Sequence, residues 1–380
     1  MGKKGKKGKG HNSKKPGNSK RPFISVCTPT FNRRPFWPYI IKCFQQQDYP
    51  MELIEWVIID DGTDKIEDLV GFLPQVKYFK YEKKMTLGVK RNLMHEKSKG
   101  DILVYMDDDD YYPPNRISHA VKKLLGTPSA LCAGSSIMQI YYYDLNKIYE
   151  FGPYGPNHAT ANTFAMRREI LKITKYNETA SLAEEKEFLK NYTIPFVQLD
   201  TDKTCLCFCH SGNTFDKHRL LEVNMPPHMR KETDIQVSDW IKDPDIEGFF
   251  KKDVEELLKN YEPGDKKYKP DVIKQQIKMD EEYQKKVKEA QENQMQNNSP
   301  IMINKDGKDI PLHNSQVVEI LKKQQQHIAF LEKNLRETQN RIKELENMLT
   351  NNVVVEPAVE PTVEPTVEPT VEPVVEPAVE

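Results

Sequence analysis

Ile102-Leu103-Val104-Tyr105-Met106 is a short run of β-formers that ends on four consecutive aspartates, Asp107 to Asp110. Such a run is the mark of a strand buried on both faces of a sheet. Tyr111-Tyr112-Pro113-Pro114 follows and cannot continue a central strand. The chain therefore needs neighbours on both sides of this strand and an acidic loop at its carboxyl end. In open α/β sheets that end is where ligands sit. Carboxylates fixed side by side repel unless a cation joins them, and oxygen-only ligands suit Mg²⁺ or Mn²⁺. The plainer alternative is a solvated acidic turn.

The flanking sequence supplies the neighbours. Phe23 to Thr28 reads as a first strand, closed by the polar loop Pro29-Thr30-Phe31-Asn32-Arg33. Trp37 to Gln47 has helical spacing, and Leu53 to Ile59 is a second apolar strand ending in Asp60-Asp61-Gly62-Thr63. Val76 to Tyr81 is a third strand, and Gly88 to Leu93 opens a helix with Lys90 and Arg91 near its start. Strands alternating with helices, with polar loops after each strand, predict a doubly wound α/β fold. Further on, Asn115 to Leu125 reads as a helix, and Ala130 to Ile137 and Gln139 to Tyr143 as strands. Thr163 to Ile173 reads as a segment with Arg167 and Arg168 at a helix start, and Ala183 to Leu189 as an acid-led helix. Phe196 to Leu199 and Thr204 to Cys209 are the last strands and lead into His210.

Charge is near balance overall, at −1, but unevenly spread. Residues 1–21 carry Lys and Arg without acid, and residues 351–380 carry Glu without Lys or Arg. The first stretch predicts a disordered basic arm, with the charge to touch anionic lipid or nucleic acid and solubility as its plainer role. No nucleic-acid partner is expected. The hydrophobic share of 37% is low for a chain that is core throughout. No CxxC occurs among Cys27, Cys43, Cys132, Cys205, Cys207 and Cys209. Reduced thiols in a cytosol-like compartment follow as the expectation, with peripheral, virion or scaffold association left open. Cys205, Cys207 and Cys209 alternate as one face of a buried strand rather than as a zinc site. No apolar run reaches membrane-spanning length.

Taken together, Ile24 to Arg33, Val57 to Thr63, Gly88 to Asn92 and Gly100 to Asp110 resemble a family 2 glycosyltransferase of the GT-A fold, over roughly Arg21 to Leu221. Each motif is weak alone; their order and spacing are specific. The resemblance implies a mixed, mainly parallel central sheet, a nucleotide-diphosphate sugar donor (a UDP-sugar first) and an inverting transfer to an acceptor hydroxyl. Asp107 and Asp109 would hold Mn²⁺ or Mg²⁺, with Asp109 at the principal metal position and His210 as a late third ligand. Asp61 would recognise the base beside Asp60, Pro29 to Asn32 would flank the nucleotide, and Lys90 and Arg91 would face uracil or phosphate. Asp108 would join the donor contacts. Glu184-Glu185 matches the acidic pair that supplies the general base, with the choice between the two open. His158, in a Gly/Pro loop, lies where an acceptor could pass.

The resulting division is a basic arm at 1–21, the transferase domain at 22–225, a charged helical linker at 226–300, a hairpin plus coiled coil at 301–350, and a Val-Glu-Pro repeat tail at 351–380. The heptad seam runs Val317, Leu321, Gln324, Ile328, Leu331, Leu335, Thr338, Ile342, Leu345, Leu349 and predicts a coiled coil that makes a homo-oligomer or tethers the chain to a scaffold, the alternative being a lone amphipathic helix folded back on the enzyme. Pro at every fourth position forbids helix in the tail. Two rival readings are an inactive GT-A-like scaffold and a nucleotidyltransferase. The second would want a Gly-rich basic phosphate loop near the first strand, which Pro29 to Arg33 is not.

Overall fold

A computed structural model describes residues 21–223, 225–296, 301–305, 308–312 and 314–351. Nearly all of the basic arm, the turn of the C-terminal hairpin and the Val-Glu-Pro tail lie outside these residues. Through Lys285 the chain is one compact unit; a second unit begins at Lys286.

The first unit opens with β1 (Ile24–Thr30), α1 (Trp37–Gln45), β2 (Ile54–Asp60), α2 (Glu67–Val70), β3 (Val76–Lys80), α3 (Leu87–Lys97), β4 (Ile102–Tyr105) and α4 (Arg116–Gly126). It continues through β5 (Cys132–Gly134), β6 (Met138–Tyr142), β7 (Lys147–Phe151), β8 (Ala165–Arg167), α5 (Glu185–Phe188), β9 (Phe196–Gln198), β10 (Leu206–Cys209) and α6 (Arg219–Glu222). Beyond these come β11 (Arg230–Glu232), α7 (Val237–Trp240), α8 (Pro244–Gly248), α9 (Val254–Lys259) and α10 (Pro270–Gln296). The main sheet has the order β3-β2-β1-β4-β8-β5-β9. Its first four strands are parallel, and β8 runs antiparallel between β4 and β5. A second sheet, β10-β6-β7-β11, lies beyond the acidic loop. A bridge between Tyr111 and Leu206 ties that loop to it.

The apolar runs behave as expected of central strands. In β1, β2 and β4 every residue is buried. Their side chains alternate between two cores: Val26, Trp56 and Val104 pack on one face, and Cys27, Val57 and Leu103 on the other. Trp56 stacks on Phe44 at 4.3 Å, and its indole N–H donates to the Thr28 hydroxyl at 2.8 Å. That hydroxyl in turn donates to the Met106 carbonyl at 2.6 Å. The polar atoms of the central strands are thus paired inside the core, which fixes where β4 ends and the aspartates begin.

Two segments depart from the sequence reading. Thr163 to Ile173 is not a helix entered at Arg167. It is strand β8 followed by a short 3₁₀ turn, because Ala165 and Met166 fill the gap between β4 and β5. The two arginines bind carbonyls at the base of the sheet: Arg167 donates to Ala130 O at 3.0 Å and Arg168 to Gly100 O at 2.6 Å. Strand β7, after a turn with Asn146 at φ 50°, had no reading of its own. The stretch from 226 is likewise less of a linker than its charge suggests. Val237, Ile246, Phe249, Phe250 and Val254 are buried in the main core, and Phe250 stacks on Phe208 of β10 at 3.9 Å.

In the second unit, β12 (Ile301–Lys305) and β13 (Lys308–Leu312) pair as the predicted hairpin, and α11 is one helix, Asn314–Asn351. Among the described residues no helix is long and apolar enough to cross a membrane.

Helix α3 approaches its neighbours at Gly88, where a Cβ would lie 1.9 Å from the Asn177 carbonyl oxygen. Gly88→Ala must push the helix or that loop aside. An overpacking cost of about 1–3 kcal/mol is expected. In a thermal melt that is a fall of roughly 2–10 °C, accompanied by displacement of Lys90 and Arg91 from the positions described next.

Candidate active site

The loops at the carboxyl ends of β1, β3 and β4 meet the 181–185 and 213–217 loops around a cavity of about 310 Å³. That is the lower end of the size of small-ligand sites. Its lining brings together Pro29, Phe31, Lys90, Arg91, Asp107, Asp108, Asp109, Glu184 and Glu185, nine of the residues singled out in the sequence. Five others stand outside the lining. Asp60 accepts from the Tyr78 hydroxyl at 2.6 Å and from Gly62 N at 2.8 Å, which shapes the loop after β2. Asp61 is buried and accepts from Lys90 Nζ at 2.8 Å and Met85 N at 2.6 Å. Asn32, at φ 51°, accepts from Thr63 N at 2.7 Å and Asp64 N at 3.0 Å, so it staples the β1 and β2 loops together. Thr30 takes a hydrogen bond from the Trp37 indole at 3.3 Å. These four build the wall rather than the lining, because their polar atoms already serve the loops. The fifth, His210, backs Asp109.

The four aspartates have four different surroundings. Asp107 faces the Arg91 guanidinium, with both oxygens at 3.4 Å. Burial still leaves its carboxyl above the usual range, opposed by Arg91. Asp108 has Arg33 at 3.9 Å, and burial together with the charge of Asp109 pushes it up to about 7. Asp109 has His210 Nε2 at 3.4 Å and Arg33 at 3.5 Å. Burial disfavours its charge, yet His210, Lys217 and Arg33 hold it well below the usual carboxylate range. Asp110 also lines the cavity and bonds toward β10, accepting from Asn162 Nδ2 at 2.8 Å with Lys217 at 3.7 Å.

The acidic pair is also differentiated. Glu184 accepts from Arg91 Nε at 2.8 Å, so one guanidinium bridges it to Asp107. Glu185 has no such ion pair among the described residues. Burial, then the charge of Glu184, pushes its carboxyl up to about 7. One carboxyl is thus tied up in an ion pair while its neighbour, raised by its surroundings, is left free to exchange a proton.

Asp107 and Asp109 offer hard carboxylate oxygens and His210 a borderline imidazole, residue types that suit Mn²⁺ better than Mg²⁺, although their three ligand atoms do not all lie within 4.8 Å of one another. Buried atoms around Asp109 also lack hydrogen-bond partners among the described residues: Asp108 Oδ2, Arg33 Nη1 and His210 Nδ1. Cys205 and Cys207 lie with their sulfurs 3.9 Å apart, and Asn162 Nδ2 reaches Cys205 Sγ at 3.2 Å, Cys207 Sγ at 3.1 Å and Asp110. They sit in and beside buried strand β10, and all six cysteines are free and buried.

Several lining residues escaped the sequence. Arg33, read only as part of a polar loop, is 3% exposed and donates to Gly212 O at 2.6 Å. Its place in the first motif was the available signal. Lys84, Lys217, Lys269 and Asp271 also line the cavity, with nothing in the sequence to distinguish them from surface charges. His158 lies between the rings of Tyr154 and Tyr192 at 4.9 and 4.8 Å, two residues before the lining residue Thr160.

Residues 25–178 match the sequence profile "Glycosyl transferase family 2". The chain is 30% identical over 125 residues to WcaA of Escherichia coli K12, named for glycosyl transfer in colanic acid biosynthesis, covering 31% of this chain and 44% of that one. It is 29% identical over 110 residues to an uncharacterized glycosyltransferase of Haemophilus influenzae Rd, covering 27% and 43%. It thus spans under half the length of either relative. Among solved structures, S. aureus TarS overlays with a TM-score of 0.40 at 20% identity, over 49% of this chain and 36% of that one. The mannosyltransferase PcManGT of Pyrobaculum calidifontis, solved with GDP-Man and Mn²⁺, overlays with 0.42 at 15%, over 57% and 70%. These overlays are too loose to carry a residue's role from one chain to the other. The sequence match and the motif order agree: over residues 25–178 this chain is similar to glycosyl transferase family 2.

Proposed function

We propose that the chain moves a sugar from a nucleotide-diphosphate donor, a UDP-sugar first, to an acceptor hydroxyl with inversion. The observation that carries this reading is Glu185: a carboxyl raised to about 7, free of any salt bridge among the described residues, in the same cavity as the Asp107–Asp109 carboxylates. A base near neutrality is what removal of a hydroxyl proton at cellular pH requires. Glu184, tied to Arg91, adds to burial in raising its neighbour's pKa and positions Arg91 against Asp107. Phe31, Pro29 and Lys90 would flank the nucleotide, with Asp61 fixing Lys90. Asp107 and Asp109, with His210 behind, would hold Mn²⁺ or Mg²⁺. Such an ion supplies positive charge where the departing diphosphate gains negative charge. The test is turnover of purified chain with a panel of nucleotide sugars and Mn²⁺, reading release of free nucleotide diphosphate. Release of one such diphosphate supports the reading; none from any donor overturns it.

We also assign α11 to self-association. Leu321, Ile328, Leu331, Leu335, Ile342 and Leu345 of its seam are all at least 46% exposed. Seven-residue spacing of this kind buries its apolar edge against a like helix. Leu331→Glu with Leu335→Glu is expected to lower the native mass, by light scattering, to that of a single chain and to leave donor turnover in place. An unchanged mass would rule the seam out as the contact.

A further inference from the structure

The geometry points to Lys269 as a diphosphate-binding residue, carried into the donor site by a strap formed by residues 261–275. This rests on the donor reading above and extends it to a segment far outside the matched residues 25–178.

The strap is fastened on both sides of the cavity. At its start the Tyr261 hydroxyl donates to Asp64 Oδ2 at 2.9 Å, and Asn32 Nδ2 donates to the Pro263 carbonyl at 2.7 Å. These bonds hold it to the loops after β1 and β2. At its end Asp271 pairs with Lys84 and accepts from Ser181 Oγ at 2.7 Å. Gln275 accepts from Ser181 N at 2.7 Å and donates to Leu182 O at 2.8 Å. That second set grips the loop that leads into Glu184 and Glu185.

Between the two fastenings stands Lys269. It is 5% exposed and lines the cavity. Lysine is almost never this buried without an anionic partner. Here the hydrogen bond it makes is to a neutral group, Thr214 Oγ1, at 3.0 Å. Among the described residues no carboxylate oxygen forms an ion pair with it, although Asp108 and Asp109 are near enough to be felt. Arg33 and Lys90 are also close, so the ammonium is held among like charges. Burial, then the charge of Arg33, pushes this amine well below the usual lysine range, so its three-donor charged form is favoured once an anion arrives in the cavity from outside. Phosphate oxygens of the donor are the anion this cavity is proposed to take, and Lys269 meets them as a point charge. Lys269 Nζ stands 6.0 Å from the centroid of the Phe31 ring, so the phosphates would meet it beside that ring.

The test uses the full chain with Mn²⁺ and two probes, UDP and uridine, by calorimetry and thermal shift. Lys269→Met is expected to weaken UDP about 10–100-fold and to change uridine binding little. Lys269→Arg should recover part of the loss. Without ligand the melting temperature of Lys269→Met should hold or rise, because a buried polar amine without an anionic partner has been replaced by an apolar side chain. A merely structural lysine would instead lower that temperature and weaken both probes alike, and that result overturns the proposal. So does undiminished UDP binding by Lys269→Met when the unaltered chain binds UDP. Absence of binding by the unaltered chain to UDP, and likewise to GDP, overturns the donor reading, and this inference with it.

Discussion

Glu185→Gln lowers kcat by about 10²–10⁴-fold, the span attributed to a positioned general base, while donor binding by thermal shift stays near that of the unaltered chain. The pH profile gives the more telling signature. The base acts when ionised. Burial and Glu184 set its acidity at about 7, so kcat/KM should rise about tenfold per pH unit up to pH ~7 and level off above. Glu185→Gln should erase that limb. Glu184→Gln should move it to lower pH, since a negative neighbour that raises Glu185 is removed while Arg91 remains. The amide introduced by Glu184→Gln would still offer a carbonyl oxygen to Arg91 Nε, so the position is preserved as the charge is lost. If instead Glu184→Gln were the variant that lost turnover and the limb, the two roles would be exchanged.

The same differentiation shows what the sequence carries and what it does not. Strands β1, β2 and β4 were legible because central parallel strands are buried on both faces and read as continuous apolar runs. The loops at their ends were legible because polar residues break the apolar runs there, in Pro29 to Arg33, Asp60-Asp61 and Asp107 to Asp110, the first and last of which contribute to the cavity lining. Strand β8 was not: three residues hold it, and its place is set by the gap between β4 and β5 rather than by its own pattern. The roles of Glu184 and Glu185 could not be read either. They differ only in which one faces Arg91, and that depends on a contact 93 residues apart along the chain. Lys269 is the furthest case. It stands beside Lys266 and Lys267, both exposed, and only the course of the strap turns one of the three inward.

Asp109→Asn removes a carboxylate that its neighbours hold firmly ionised. Metal-dependent stabilisation by UDP should vanish, and turnover should fall by at least about 10³-fold, since charge stabilisation by a bound ion is worth several kcal/mol and each 1.36 kcal/mol is tenfold. The apo protein should suffer too. Arg33 and His210 lose their carboxylate at 3.5 and 3.4 Å, and a buried charge without its partner is strongly destabilising. Asp108 softens that loss. Its carboxyl is held at about 7 after burial chiefly by the charge of Asp109, so neutralising Asp109 lets Asp108 ionise and face Arg33 in its place. Fold should therefore survive while metal-dependent binding does not. Circular dichroism and an apo melt establish the first, and Mn²⁺ titration with UDP the second. A folded Asp109→Asn that still gained stability from Mn²⁺ and UDP together would show that the ion, if this chain uses one, is held elsewhere than at the mouth of β4.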